Sequence, residues 1–412
     1  MNLPLKDRAA RAIAECYALA AFTEEPGCIT RRFLTPPVHA VHAHLRARME
    51  SLGMSVRTDA IGNLRALHQP ANAAPKRLLI GSHIDTVPNA GPFDGILGVT
   101  LALELVEIAA EQKLPLAIEV IAFSEEEGVR YGVPFFGSRA VAGIFNPAHF
   151  DLKDANGITV SEAIRVFGLN PEEIPAAQLD TDTAAFFEIH IEQGPVLESE
   201  NLSVAAVSAI AGQTRGTLLF TGQANHAGTT PLPLRRDALA AAAEWITFVE
   251  AIARRTPELA ATVGQIAVEP NASNVVPSSA RLSLDLRHPL DHIHAASLET
   301  ILAETQSIAQ RRSLTAAWTG QMSQPAVPMD ERLTSYLADA LTSAGHPAKI
   351  MTSGAGHDAM VLAARVPTAM LFLRSPGGIS HHPSESVREE DIEAALRVAT
   401  EFLKRLAAEN HL

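Results

Sequence analysis

Apolar positions recur at helical spacing from about residue 5 to residue 55, broken by a turn at residues 24–27 and by Pro36-Pro37. The periodicity then alternates. Ser55 to Leu67, Leu78 to Ser82 and Ala117 to Phe123 read as strands, and Gly98 to Gln112 reads as an amphipathic helix carrying Leu101, Leu103, Leu105 and Val106. Strands alternating with helices predict an α/β sheet with helices on its faces.

Near residue 212 the pattern changes. Gln213 to Phe220 is strand-like and turns at Gly222, Arg236 to Ala253 is a long Ala-rich helix, Ala261 to Val268 and Ala280 to Arg287 are strands, and a helix follows near Ala295 to Gln310. This β-α-β-β-α order resembles a small ferredoxin-like unit. After Pro325 the earlier alternation resumes, so the expected plan is a main α/β domain from residues 1–211 and 326–412, interrupted by an inserted domain at 212–325. A chain of 412 residues is too long for one compact core, which fits at least two domains. The alanine run at 238–243 needs no function beyond helix propensity.

Composition narrows the classes. With 47% hydrophobic and 19% charged residues and no long polar tract, the chain reads as globular rather than disordered. A formal net charge of -13 argues against nucleic acid or an anionic membrane as the main partner, since both recruit clustered Lys and Arg. Small-molecule chemistry is the better expectation. The two cysteines, Cys16 and Cys28, have neither CxxC spacing nor a neighbouring His motif, so no disulfide framework or thiolate-metal site is expected. Charges stand in MNLPLKDRAARAIAEC where a signal peptide needs an apolar run, and no 18 consecutive apolar residues occur. A cytoplasmic protein is expected.

Two segments concentrate the chemistry. GSHIDTV (residues 81–87) follows an apolar strand and leads to Asp94 in a Gly-Pro-Phe-Asp-Gly turn, while FSEEEG (residues 123–128) closes the strand that begins at Leu116. Both lie where a buried strand gives way to a loop, the place where open α/β sheets keep their sites. His83, Asp94, Glu127, His190 and His381 form a candidate ligand set of nitrogen and oxygen donors, suited to Zn or Mn. One carboxylate bridging two ions would make a two-metal hydrolytic centre. Asp85 is placed to accept the other ring N–H of His83 and fix its tautomer. Glu126 and Glu127, adjacent at a strand end, point different ways; Glu126 is assigned to taking a proton from water and returning it to a leaving nitrogen, Glu127 to metal. A single histidine or a glutamate run is more often surface. Co-occurrence at two strand ends, where unpartnered buried charge is costly, tips the balance.

Four further residues lie in or beside the inserted segment: Arg215 in AGQTR, His226 in NHAGTTP, Asn274 in NASNVVP and Arg287 in LDLRH. Arginine is the usual fork for a carboxylate. Spacing alone favours turn chemistry for Asn274, strand-end solvation for the arginines and local capping for His226.

Taken together, GSHIDTV with Asp94, SEEEG followed by Arg130, HIEQGPVLE, NHAGTTP, SNVVP, SGAGHDA and GISHHPSE resemble the M20-type amidohydrolases, in the branch of allantoate amidohydrolases, N-carbamoyl-L-amino acid hydrolases and β-ureidopropionases. The segments span residues 81 to 385 in the family's order. The resemblance implies a metal-dependent exopeptidase-like α/β catalytic domain with a mostly parallel sheet and an inserted lid and dimerisation domain. It implies two Zn or Mn ions held by His83, bridging Asp94, Glu127, His190 and His381, with Glu126 as acid/base. His381 is preferred to His382 because the family pattern is Ser-His-x-Pro. It further implies a homodimer in which His226 supports the substrate carbonyl in the neighbouring subunit's site, while Gln193, Arg215, Asn274 and Arg287 hold a small anionic ureido substrate. His357 and Asp358 are expected near the site without a defined role. AGQTR, ASNVVP, RRSL and RSPGGISHHP look most like allantoate amidohydrolases, with N-carbamoyl-L-amino acid hydrolysis as the alternative. A non-catalytic homologue is disfavoured because every ligand and the acid/base are present.

Overall fold

Ala117–Phe123 is apolar at all but one position and Arg77–His83 carries the apolar run Leu78 to Ile80, as strands covered on both faces require, and both are buried nearly end to end. They form the middle of the sheet in the larger of two units. The computed structural model describes residues 3–408 and divides the chain into Met1–Ser208 with Met329–Leu412, and Ala209–Pro328. The expected boundaries at 212 and 325 fall just inside that cut, and the outermost residues of the expected segments 1–211 and 326–412 lie outside the described residues.

Across the larger unit's sheet the strands stand in the order Ser55–Thr58, Leu64–His68, Ala117–Phe123, Arg77–His83, Thr183–Ile191, Thr368–Leu373 and Val204–Ile210. Four neighbours run parallel: Ala117–Phe123 beside Arg77–His83, then Thr183–Ile191, then Thr368–Leu373. Antiparallel strands flank them on both sides. The result is an α/β fold with a mostly parallel centre.

Two local readings change. The single strand expected over Ser55 to Leu67 is a hairpin, Ser55–Thr58 paired with Leu64–His68. Its turn is set by Asp59, whose carboxylate accepts the backbone N–H groups of Ile61 (3.2 Å) and Asn63 (2.9 Å). The helix expected to be amphipathic, observed at Ile96–Glu111, is instead buried almost all round. It lies on the strand Arg77–His83 and is covered on its other side by the helices Leu5–Ala20 and Glu389–Ala408. That cover explains Glu104, fully buried on this helix, which takes Arg11 at 2.8 Å and Arg48 at 2.6 Å while Arg8 donates at 3.2 Å.

The smaller unit is an antiparallel sheet in the order Ile266–Glu269, Ser279–His288, Gly212–Thr221, Thr315–Gln324, with Ala260–Thr262 also on Ser279–His288. Helices Ala238–Arg255 and Asp291–Arg311 pack on it through Trp245, Val249, Ile301 and Ile308. The strand expected over Ala261 to Val268 is therefore two short strands, and Thr315–Gln324 is a further edge strand. Its exposed positions alternate with half-buried ones except at the Gly320/Met322 register shift, but none is fully buried, so its sequence carries little of the strand signature. Among the described residues no helix is long and apolar enough to cross a membrane, and both cysteines are free.

Candidate metal centre

The parallel strands deliver the side chains. His83 is the last residue of Arg77–His83, His190 the penultimate residue of Thr183–Ile191, and Glu126 and Glu127 follow Ala117–Phe123; His381 sits in the loop after Thr368–Leu373. All therefore gather beyond the carboxyl ends of neighbouring strands. Asp94 joins them from the turn before Ile96–Glu111, where Gly95 has φ +68° and a Cβ would lie 2.4 Å from the His83 ring.

Asp94 is the hub. Its Oδ1 lies 3.3 Å from Nε2 of both His83 and His190, and its Oδ2 lies 3.3 Å from His381 Nε2, which is 3.4 Å from Glu127 Oε1. Donor atoms thus converge in two groups that share Asp94, one with His83 and His190 and one with Glu127 and His381; a third grouping places Glu126 beside His83 and Glu127. His83, His190 and Asp94 are buried to within 3%.

These atoms fit a cation. Nδ1 of His83 faces the Asp85 carbonyl at 3.0 Å and Nδ1 of His190 faces the Ile191 carbonyl at 2.9 Å, so each Nδ1 carries the proton and each Nε2 offers a lone pair. Those two Nε2 atoms are 3.5 Å apart and aim at Asp94 Oδ1, which is buried without a hydrogen-bond partner. Three converging lone pairs in a buried place repel unless positive charge sits among them.

The titration shifts show the same demand for positive charge, met by protons on the imidazoles. Burial works against a charged His83, but the nearby carboxylates of Asp85, Asp94 and Glu126 hold its pKa well above the usual imidazole value. Burial opposes ionisation of Asp94 too, yet its contacts with His190, His381 and His83 hold it well below the carboxylate range. Glu126 goes the other way: burial, with repulsion from Glu127, Asp358 and Asp85, pushes it well up against the attraction of His83. Burial and the neighbouring Asp94 raise Glu127 to about 7.

Asp85 differs from the expectation in its partners. The His83 ring meets its backbone carbonyl, whereas its carboxylate is 3.5 Å from that ring and accepts the N–H groups of Glu126 (2.9 Å) and Glu127 (3.0 Å). It therefore acts through the glutamate turn, which it fastens to the His83 strand end. Gln193 donates from Nε2 to Asp94 Oδ2 at 2.8 Å. His382 is occupied locally, its Nδ1 accepting the Ser384 N–H at 3.1 Å, which leaves His381 as the imidazole facing Asp94.

The smaller unit brings its candidates into two places. Arg287 makes a two-pronged pair with Asp285 at 2.8 and 2.9 Å, and Arg215 donates to the same carboxylate at 2.8 Å. His226 and Asn274 meet instead on a two-stranded ribbon, where His226 pairs with Val275 and the Asn274 carbonyl accepts the Ala227 N–H. His226 Nδ1 accepts N–H groups from Gly228 (3.1 Å) and Thr229 (3.2 Å), so its exposed ring presents Nε2–H as a donor.

A model of the Peptidase family M20/M25/M40 matches residues 79–405. The chain belongs to this family. It is 34% identical to an allantoate deiminase of Arabidopsis thaliana over 95% of this chain and 81% of the relative, and 36% identical to an N-carbamoyl-L-amino acid amidohydrolase of Geobacillus stearothermophilus over 92% and 94%. A crystal structure of a hydantoinase/carbamoylase family amidase from Burkholderia multivorans superimposes with a TM-score of 0.91 at 32% identity, covering 97% of this chain and 98% of that one. Within the M20 family the chain falls in the allantoate amidohydrolase and N-carbamoyl-L-amino acid hydrolase group, hydrolases of C–N bonds, and membership implies dependence on metal.

Several residues around this centre had no expected role, His357 being expected nearby without one. Arg31, fully buried, donates to the Ile84 carbonyl at 2.6 Å and fixes the chain just after His83. Glu188 accepts from Ser82 Oγ and the Ala359 N–H, both at 2.9 Å, and His357 packs edge-on against the His190 ring at 4.5 Å. Glu385 also had no assigned part, nor, within the smaller unit, did Asp285. None stands in a local pattern that marks its partner. GISHHPSE, LDLRH and SGAGHDA, which contain Glu385, Asp285 and His357, are the quoted segments that could have drawn attention.

Proposed function

We propose that the protein hydrolyses a ureido C–N bond of a small anionic substrate, allantoate first, giving ureidoglycine, ammonia and carbon dioxide. The observation that carries this reading is Asp94, whose two oxygens face two separate donor groups in a member of the carbamoyl-cleaving branch of M20. His83, Asp94 and His190 would hold one divalent ion, and Asp94, Glu127 and His381 a second, Zn or Mn by their donor set. When bound, such ions polarise the ureido carbonyl and make water more acidic.

The chain's own residues account for the remainder. Glu126 takes the proton of the attacking water and returns it to the departing nitrogen, its position fixed by the Asp85 carboxylate on its backbone N–H. His226, a donor at Nε2 by virtue of its turn, stabilises the carbonyl oxygen as it gains charge, serving the neighbouring subunit of a homodimer as the family resemblance implies. Gln193 and Asn274 offer amides, and Arg287 with Arg215 receives the substrate carboxylate. AGQTR, ASNVVP and RSPGGISHHP support allantoate. The match to the Geobacillus relative supports N-carbamoyl-L-amino acids as the second reading.

The test is ammonia release by metal-stripped protein reloaded with Mn or Zn and offered allantoate beside a panel of N-carbamoyl-L-amino acids. Metal-dependent turnover of allantoate above the panel is the expected result. Preference for the carbamoyl amino acids moves the protein to the second reading, and no turnover of either refutes both.

A further inference from the structure

The two donor groups are not built alike. His83 and His190 stand on adjacent strands of the sheet and are buried. His381 stands on a loop with φ +56°, its side chain 47% exposed. Something other than the sheet must hold that loop to Asp94.

Glu385 occupies that position. It is 4% exposed, and its Oε1 accepts the backbone N–H groups of Phe93 at 2.9 Å and of Asp94 at 3.0 Å, across 291 residues of chain. Its Oε2 lies 3.3 Å from Ser380 Oγ, which in turn is 2.8 Å from Asp94 Oδ2. Its own N–H is donated to the His382 carbonyl at 2.9 Å, closing the turn that carries His381. Gly91 completes the fit, because a Cβ there would lie 2.3–2.6 Å from the Glu385 side chain. One residue thus grips the Asp94 turn by its carboxylate and the His381 loop by its N–H, with the single Ser380 O–H shared between Asp94 Oδ2 and Glu385 Oε2.

We propose that Glu385 is a positioning residue that sets the affinity of the Asp94–Glu127–His381 position for a divalent ion, leaving the His83–Asp94–His190 position tighter and largely independent of it. The inference rests on the metal reading above. Removing the tie frees the loop and with it the Ser380 and His381 contacts at Asp94 Oδ2, leaving that of Gln193, whereas the first group keeps its strand-borne histidines. Outer contacts of this kind commonly change metal affinity by about 10–100-fold.

The experiment is an equilibrium titration of the metal-free full chain with Mn, followed by the electron paramagnetic signal of free Mn. The wild type is expected to bind two ions of unequal affinity. Glu385→Ala is expected to weaken the second by at least about 10-fold and to leave the first within about threefold; Glu385→Gln, whose amide oxygen still accepts from Phe93 and Asp94, is expected to recover most of the loss. Ser380→Ala cuts the contact to Asp94 Oδ2 and keeps the buried carboxylate, so it tests the tie even where Glu385→Ala does not fold. Equal weakening of both ions, or no change in folded Glu385→Ala or in Ser380→Ala, overturns the proposal alone. A wild type that takes up no Mn overturns the metal centre and the proposal with it.

Discussion

Gly95→Ala tests the geometry of the centre at its tightest point. The new Cβ would lie 2.4 Å from Cε1 and 2.5 Å from each nitrogen of the His83 ring. Carbon and its neighbours rest at about 3.5–4.0 Å, so the ring must retreat by roughly 1 Å. A shift of that size in a reacting group costs on the order of 100-fold, or about 2.7 kcal/mol. The φ of +68° adds strain of about 1–3 kcal/mol in stability. Gly53→Ala is the control: its φ is +73° but nothing lies within 4 Å of the added carbon. Both variants are expected to melt a few degrees lower. Only Gly95→Ala is expected to lose metal affinity and, with the preferred substrate, about 100-fold in kcat/KM. Metal binding and kcat/KM within threefold of wild type in folded Gly95→Ala would refute the placement of His83 against this turn.

Other expectations follow from the same structure. Glu126→Gln keeps the shape of the side chain and removes its proton chemistry, so bound metal is expected to stay while kcat falls by about 10²–10⁴; near-wild-type turnover would sink the acid/base assignment. Glu104→Ala removes the fully buried carboxylate shared by Arg8, Arg11 and Arg48, leaving Arg8 to Glu107 and Glu111 and Arg48 to Glu15. Urea unfolding is expected to show a loss of about 3–5 kcal/mol, and a loss under 1 kcal/mol would show that the cluster is not a buried charge network. Burial holds His42 at a pKa of about 4, against about 6.5 when unfolded, so the folded state prefers it neutral. Its contribution is intact above pH about 6.5 and declines as pH falls towards 4, by about 3 kcal/mol in all. His42→Asn is expected to flatten that part of the urea-midpoint profile; an unchanged slope would mean that another group titrates there.

Much of the centre was legible because its pieces are local. His83 and Asp94 belong to one strand and the turn after it, and Glu126 and Glu127 to the next strand end, so an apolar run followed by acidic and imidazole residues marks them. The hairpin at Asp59 was read as one strand because period-two alternation passes through a turn whose signal is a side chain on its own backbone. The helix Ile96–Glu111 was misread as amphipathic because what covers its outer face comes from the two ends of the chain.

The sequence by itself determined the fold class and the family, since both are written in short segments whose periodicity and chemistry survive without their neighbours. Tertiary structure decided how those residues act on one another. Parallel pairing brings His190 beside His83 from 107 residues away, the register of two antiparallel strands sets Arg215 opposite Asp285, and the grip of Glu385 on the Asp94 turn crosses most of the chain. Such contacts depend on packing and register, and a side chain's own neighbours in sequence carry no trace of them.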